Sequence, residues 1–133
     1  MGSLYEHLHN TNEYLSVERR IKWAKQIARG VVYLHYDAPI TVIHRDLKSK
    51  NVVIGCLGNK NSPQCKICDF GTSKDLTSSW TAPSWGGTAA WMSPEIISQR
   101  EGITTATDVW SFAVVLWELF SRQVPYNGLT EFK

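Results

Sequence analysis

No stretch of this sequence strings together the roughly 20 apolar residues that a membrane span requires. The start, Met1-Gly2-Ser3, lacks the basic and apolar regions of a signal peptide, and Glu6 stands where N-myristoylation wants Ser or Thr. Charge of one sign is also lacking. A formal net charge of +2 is too small for a polyanion-binding surface, so nucleic acid is not expected as a partner. Cysteine is scarce: Cys56, Cys65 and Cys68 cannot all pair within the chain, which favours free thiols in a reducing, cytoplasmic setting. Cys65 and Cys68 make a Cys-x-x-Cys pair, but no second pair stands ready to complete a zinc site. The plainer reading of Cys65-Lys66-Ile67-Cys68-Asp69-Phe70 is a strand with alternate residues facing a core. No internal repeat and no clear linker is present.

What is there suits a globular domain. The 133 residues are enough to bury a core, and a hydrophobic content of 43% argues against disorder. Residues 3–9 suit one short helix, with a polar connection at Thr11-Asn12-Glu13. Val17, Ile21, Ala24, Ile27, Ala28, Val31 and Leu34 then fall at helical spacing, which predicts an amphipathic helix over 17–35 with Ser16 as its N-cap. Arg19, Arg20, Lys22, Lys25 and Arg29 give that helix a solvated basic face. Gly30 costs roughly 1 kcal/mol inside a helix, a cost that close packing would explain.

Beyond Pro39, Thr41-Val42-Ile43 reads as a short strand, and Val52-Val53-Ile54 with Lys66-Ile67-Cys68 as the strands of a hairpin. The loop between those two is rich in Gly, Asn, Ser and Pro. Residues 72–87 show no sustained period. From Asp108 to Ser121, apolar residues surround the whole helix, a pattern that predicts burial in the middle of a domain.

Three short motifs carry chemistry: His44-Arg45-Asp46-Leu47-Lys48-Ser49-Lys50-Asn51, then Asp69-Phe70-Gly71, then Ser93-Pro94-Glu95. Asp46 and Asn51 are five residues apart, and Asn51 and Asp69 eighteen. Singly, each polar residue reads as a turn former and the Phe as core. Together, in this order, they resemble the catalytic loop, metal-binding motif and activation-segment end of a eukaryotic protein kinase. The resemblance covers essentially all of residues 1–133. It implies an α+β, protein-kinase-like fold, here a partial C-lobe that is mainly helical with short β-hairpins. Phosphoryl transfer asks a protein for positioning and charge neutralisation. The resemblance makes Asp46 the base for a substrate hydroxyl, and Asn51 and Asp69 the oxygen ligands of Mg2+ on ATP, a choice that suits a hard cation. Lys48 would reach the transferring phosphate and offset its charge.

Lys48-Ser49-Lys50 is similar to serine/threonine kinases, as is Gly87-Thr88, where the Thr88 hydroxyl would bridge Asp46 and Lys48. Further roles follow from the same resemblance. Val53 would lie under the adenine ring, and Cys68 would line the pocket beside Asp69. Asp108 would anchor the catalytic-loop backbone, and His44 and Phe70 would stack in a column joining two lobes. Arg45 would pair with an activation-segment phosphate, and Ser84, four residues before Thr88, is the candidate phosphosite. Gly2-Ser3-Leu4-Tyr5 resembles the segment after the hinge between lobes. Asp37-Ala38-Pro39, Asn51-Val52-Val53-Ile54 and Val124-Pro125-Tyr126-Asn127-Gly128-Leu129 resemble the mixed-lineage group of MAP kinase kinase kinases, in particular those of the leucine-zipper and sterile-alpha-motif type. That likeness implies a protein substrate of the MAP kinase kinase class.

The sequence also departs from the pattern. Ser93 replaces the usual Ala, and Ala113 a common Gly. No Gly-x-Gly-x-x-Gly loop or Val-Ala-Ile-Lys-like strand precedes the catalytic loop, so the N-lobe and the last helices are expected to lie outside this chain. On that expectation the chain alone is inactive, Glu95 lacks its usual Arg partner, and the helix from Asp108 exposes Trp110, Trp117 and Phe120. The rivals to an enzyme are a truncated, non-catalytic binding module and an incomplete gene product.

Overall fold

The computed structural model describes residues 2–56, 62–70, 74–75, 89–98 and 102–128. Four α-helices, α1 (Leu4–His9), α2 (Val17–Val32), α3 (Pro94–Ile97) and α4 (Thr105–Ser121), supply the bulk of the described structure. Four short strands, β1 (Val42–Ile43), β2 (Val52–Gly55), β3 (Gln64–Ile67) and β4 (Lys74–Asp75), pair antiparallel as β1–β4 and β2–β3. The class is α+β, mainly helical, as the sequence predicts.

Local chemistry starts α1 and α2 near where the sequence reading puts them, while α4, capped by Thr104, begins at Thr105 rather than at the expected Asp108. Ser3 and Glu6 close a capping box: the Glu6 N–H donates to Ser3 Oγ at 3.2 Å and the Ser3 N–H to Glu6 Oε2 at 2.8 Å. Ser16 caps α2 by accepting from the Arg19 N–H. The α2 helix buries Trp23, Ile27 and Val31, while Lys22, Lys25 and Arg29 face out. It does not continue evenly to residue 35: after Val32 the chain widens into a π-helical turn, Tyr33–Asp37, which the heptad-like pattern could not reveal. Gly30 has the packing role its position implies. A Cβ there would come 2.9 Å from Ile67 Cδ1, so its absence lets α2 lie against β3.

The core gathers Leu4 and Leu8 of α1, Trp23 and Ile27 of α2, Val52 of β2 and Val115 and Leu119 of α4. Strand β2 alternates as an edge over this core should: Val52 and Ile54 are buried and Val53 faces out. The expected strand through Cys68 ends at Ile67, and β4 arises within residues whose sequence shows no strand period.

The expectation of an evenly buried α4 is corrected by the structure. Its inner face carries Thr107, Asp108, Ser111, Val115, Glu118 and Leu119, four of them polar. Trp110, Trp117 and Phe120 face outward, 44% to 46% exposed, which agrees with the expectation that this helix exposes them, and Val109 joins them at 56%. Hydropathy alone cannot separate the two faces, because here the polar side chains find buried partners and so point inward.

Arg122 ends α4 in the left-handed region, φ 56°, a place that usually takes Gly. Its guanidinium explains the exception. Nη2 donates to the carbonyls of Thr11 at 2.7 Å and Leu8 at 3.1 Å, and Nη1 to that of Glu13 at 2.7 Å. One side chain thus satisfies the carbonyl end of α1 and the turn after it, and joins them to α4. Removing it is expected to cost about 1.5–3 kcal/mol of stability, the range for hydrogen bonds to a charged group. In urea unfolding, Arg122→Gly should lose nearly as much as Arg122→Ala although glycine accepts the backbone angle freely. Full recovery in the glycine variant would mean that the strain, not the guanidinium, decides stability here.

Candidate active site

Asp108, at the first turn of α4, organises the loop that carries Asp46. Its carboxylate is fully buried; Oδ2 accepts from the His44 N–H at 2.8 Å and Oδ1 from the Arg45 N–H at 2.9 Å. The buried His35 ring donates a third bond, Nε2 to Oδ2 at 2.7 Å. Those bonds hold Arg45 at φ 70°, a conformation that costs a non-glycine residue energy unless its surroundings fix it. Burial lowers the pKa of the Arg45 guanidinium, and the Asp108 charge partly restores it.

Asp46 follows directly on the turn at Arg45. Asp46 Oδ2 accepts from Asn51 Nδ2 at 3.1 Å and lies 3.2 Å from Lys48 Nζ, while Oδ1 is buried with no hydrogen-bond partner. Asn51 Nδ2 also donates to the Asp46 carbonyl at 2.8 Å. With its nitrogen committed twice, the Asn51 amide offers its oxygen to any metal.

His44 connects this loop to the segment before Asp69. Its Nδ1 accepts from the Asp46 N–H at 3.3 Å, which places the ring proton on Nε2, and Nε2 donates to the Cys68 carbonyl at 3.0 Å. The His44 and Phe70 rings lie 5.3 Å apart, with Phe70 about half exposed. From the other side, the Cys68 N–H donates to the Asn51 carbonyl at 2.9 Å, and Cys68 Sγ does so at 3.3 Å. Burial, reinforced by the Asp69 charge, raises the Cys68 pKa and keeps the thiol a donor. Asp69 follows in the left-handed region at φ 62°, with its side chain exposed.

Among the described residues, no group of three His, Cys, Asp or Glu could hold a metal unaided. An Asn51 amide oxygen and an Asp69 carboxylate are hard donors too few for a protein cage. That donor set fits Mg2+, which keeps waters and takes its remaining ligands from substrate phosphates.

Val53 stands on the outward face of β2, 39% exposed, its backbone bridged to Ser3. Glu95 opens α3 and accepts from Thr107 Oγ1 at 2.9 Å. Burial pushes its pKa up, but hydrogen bonds from its own backbone and from Thr107 outweigh this, so the carboxyl sits below its ordinary value. The expected lack of compensation at Glu95 is thereby met in part by a hydroxyl. Thr88 and Ser84 lie outside the described residues.

Two residues that the sequence reading passed over belong to the site's support: His35 under Asp108, and Glu118, which is fully buried in α4. A charged residue within an otherwise apolar helix was the available signal for Glu118. Nothing in the sequence marks His35 as more than a helix residue.

Comparison with known proteins agrees with this geometry. The profile described as protein tyrosine and serine/threonine kinase matches residues 1–133. The mitogen-activated protein kinase kinase kinase zak-1 of Caenorhabditis elegans is 61% identical, with 99% of this chain and 18% of that protein aligned. Mitogen-activated protein kinase kinase kinase 10 of Mus musculus is 47% identical over 82% of this chain and 12% of its own length. Mitogen-activated protein kinase kinase kinase 13 of Homo sapiens is 42% identical over 96% of this chain and 12% of its own. The chain thus spans less than a fifth of the length of these curated relatives.

Thiol chemistry offers a test of the packing behind the site. Burial pushes the Cys65 pKa up to about 12. The folded thiol therefore stays protonated where the unfolded one, at about 8.5, ionises. A group whose pKa is raised on folding contributes stability below its unfolded pKa, and that contribution fades between about pH 9 and 12. Alkylation at pH 8.5 should spare Cys65 in the native protein and modify it in urea, read by peptide mass. Rapid native labelling of Cys65 would refute the burial.

Proposed function

The chain belongs to the protein tyrosine and serine/threonine kinase family, and from that premise we propose that the protein carrying it transfers the γ-phosphate of ATP to serine or threonine hydroxyls of protein substrates. The observation that carries this reading is the divided Asp46 carboxylate. One oxygen is held by Asn51 and Lys48, and the other is buried without a partner. The unpaired oxygen keeps its full capacity to accept a hydrogen bond, which is what a base for a substrate hydroxyl needs. In this role Asp46 Oδ1 orients the acceptor hydroxyl and takes its proton as the bond to phosphorus forms. The Lys48 ammonium, 3.2 Å from Oδ2, would offset the charge of the transferring group. Asn51 and Asp69 would hold Mg2+, which supplies charge neutralisation across the ATP phosphates when bound. Val53 and Cys68 supply the nucleotide-side wall.

The finer parts of the proposal rest on likeness. The relatives are named as kinases of MAP kinase kinases, so a MAP kinase kinase is the proposed substrate and a MAP kinase cascade the proposed setting. The cytoplasm is the proposed location, in keeping with three free cysteines, and no described helix is long and apolar enough to cross a membrane.

In the full-length protein, Asp46→Asn is expected to lower kcat by roughly 10²–10⁴-fold, the usual contribution of a general base, with nucleotide affinity kept. Asp69→Asn should instead weaken Mg2+-dependent nucleotide binding, measured by titration. Unchanged turnover in both variants would remove these assignments.

Ser84 is the proposed activating phosphosite, with Arg45 its partner. A phosphate adds about −1.5 to −2 charge, and a guanidinium binds it through two parallel bonds. Phosphopeptide mapping of the active enzyme should find Ser84 modified, and Ser84→Ala should lose the activation. Full activity in that variant would shift the role to Thr77, Ser78, Ser79 or Thr81.

A further inference from the structure

We propose that Glu118 is a positioning residue for the site centred on Asp46, an inference that rests on the kinase reading above. Its carboxylate is fully buried and takes donors from three separate segments of the chain. Ser49 Oγ donates to Oε1 at 2.6 Å and the His9 ring meets the same oxygen at 2.7 Å, while Trp91 Nε1 donates to Oε2 at 3.0 Å.

Ser49 lies between Lys48 and Asn51, within the loop that presents Asp46. Trp91 precedes Met92-Ser93-Pro94, and its own carbonyl accepts from Ser111 Oγ, one face of α4 further up, at 2.7 Å. His9 closes α1. A single carboxylate therefore ties the catalytic loop, the segment leading into α3, and the end of α1 to one point on α4.

Stability alone does not call for this arrangement. Well-packed apolar residues of similar volume often hold a core as well as buried charge does. What an apolar cluster lacks is direction. Each oxygen has few lone-pair positions, so a donor's place at Glu118 constrains the places of the others. Ser49 has one hydroxyl proton, and giving it to Glu118 fixes the side chain next to Asn51. Displacing the loop at Ser49 must then be felt at Trp91, which Ser49 does not itself bond.

The experiment uses Glu118→Gln, Ser49→Ala and their combination in the full-length protein. Glutamine keeps the shape but replaces one acceptor oxygen with a donor that faces another donor. Each single variant is expected to lower kcat by about tenfold or more at an unchanged KM for ATP, since small misplacements remote from the chemistry cost up to roughly 100-fold. The combination should lose less than the product of the two, because both act through one carboxylate. Hydrogen exchange supplies a readout independent of activity: Ser49→Ala should speed exchange at the amides of residues 89–92 as well as its own loop. That remote effect separates positioning from local support. A kcat drop smaller than tenfold in both variants, or unchanged exchange at 89–92 in Ser49→Ala, overturns the proposal. Should Glu118→Gln fail to fold, Ser49→Ala decides, since it leaves the carboxylate and two of its donors in place. If the parent protein shows no phosphoryl transfer, the kinase reading fails, and the exchange result alone decides for or against Glu118.

Discussion

The Asp108 carboxylate, buried against two backbone N–H groups and an imidazole, is the contact on which the geometry of the site depends. A charge taken out of water is costly, and three donors are what make its burial tolerable. The direction of those donors matters as much as their number. The amides of His44 and Arg45 both point at one carboxylate, and Arg45 turns to φ 70° immediately before Asp46. Stability and chemistry are here the same constraint. The residue that needs satisfying in the core bends the chain immediately before Asp46, the proposed base.

This logic extends along α4. Thr107 meets Glu95, Asp108 the catalytic loop, Ser111 and Glu118 the Trp91 segment, and Arg122 the carbonyls of α1. Their spacing puts them along one side of the helix, with Val115 and Leu119 between. An ordinary amphipathic helix turns its apolar stripe inward and gains from burial roughly in proportion to area. Here polar groups at fixed intervals receive particular loops at particular heights. Apolar contact would tolerate sliding by a residue or two; a hydrogen bond near 2.8 Å does not. The loops around α4 have little regular structure of their own, so register must come from such bonds.

How much of this could be read beforehand follows from the same physics. The start of α2 was legible because Ser16 acts within a few residues, and local chemistry is what sequence displays. The positions of Asp46, Asn51 and Asp69 were legible from spacing and family likeness. The inward face of α4 was not. Hydropathy shows apolar residues all round this helix, yet the inward face was decided by partners 20 to more than 100 residues away. Similarly, β4 pairs with β1 across 30 intervening residues, through backbone groups that carry no side-chain signature. The π-helical turn at Tyr33–Asp37 escaped for the opposite reason: one extra residue in a turn barely disturbs an apolar period.

Strain completes the picture. Arg45 and Asp69 both adopt left-handed backbone, and both belong to the motifs that carry the chemistry. Such conformations persist only where the surroundings over-determine them. Arg45 is determined by Asp108. Asp69 is determined by its predecessor, since Cys68 gives its N–H and its thiol to Asn51 while its carbonyl receives His44. His44 in turn accepts from the Asp46 amide. A closed circuit therefore runs from His44 through Cys68 and Asn51 to Asp46 and back to His44, with Asp108 anchoring it at the His44 N–H. Within it Asn51 bonds directly to Asp46 through its amide, while Asp69 is placed through the backbone bonds of Cys68. Geometry set in this way is fixed by the chain's own bonds, the preorganisation on which the proposed transfer would draw.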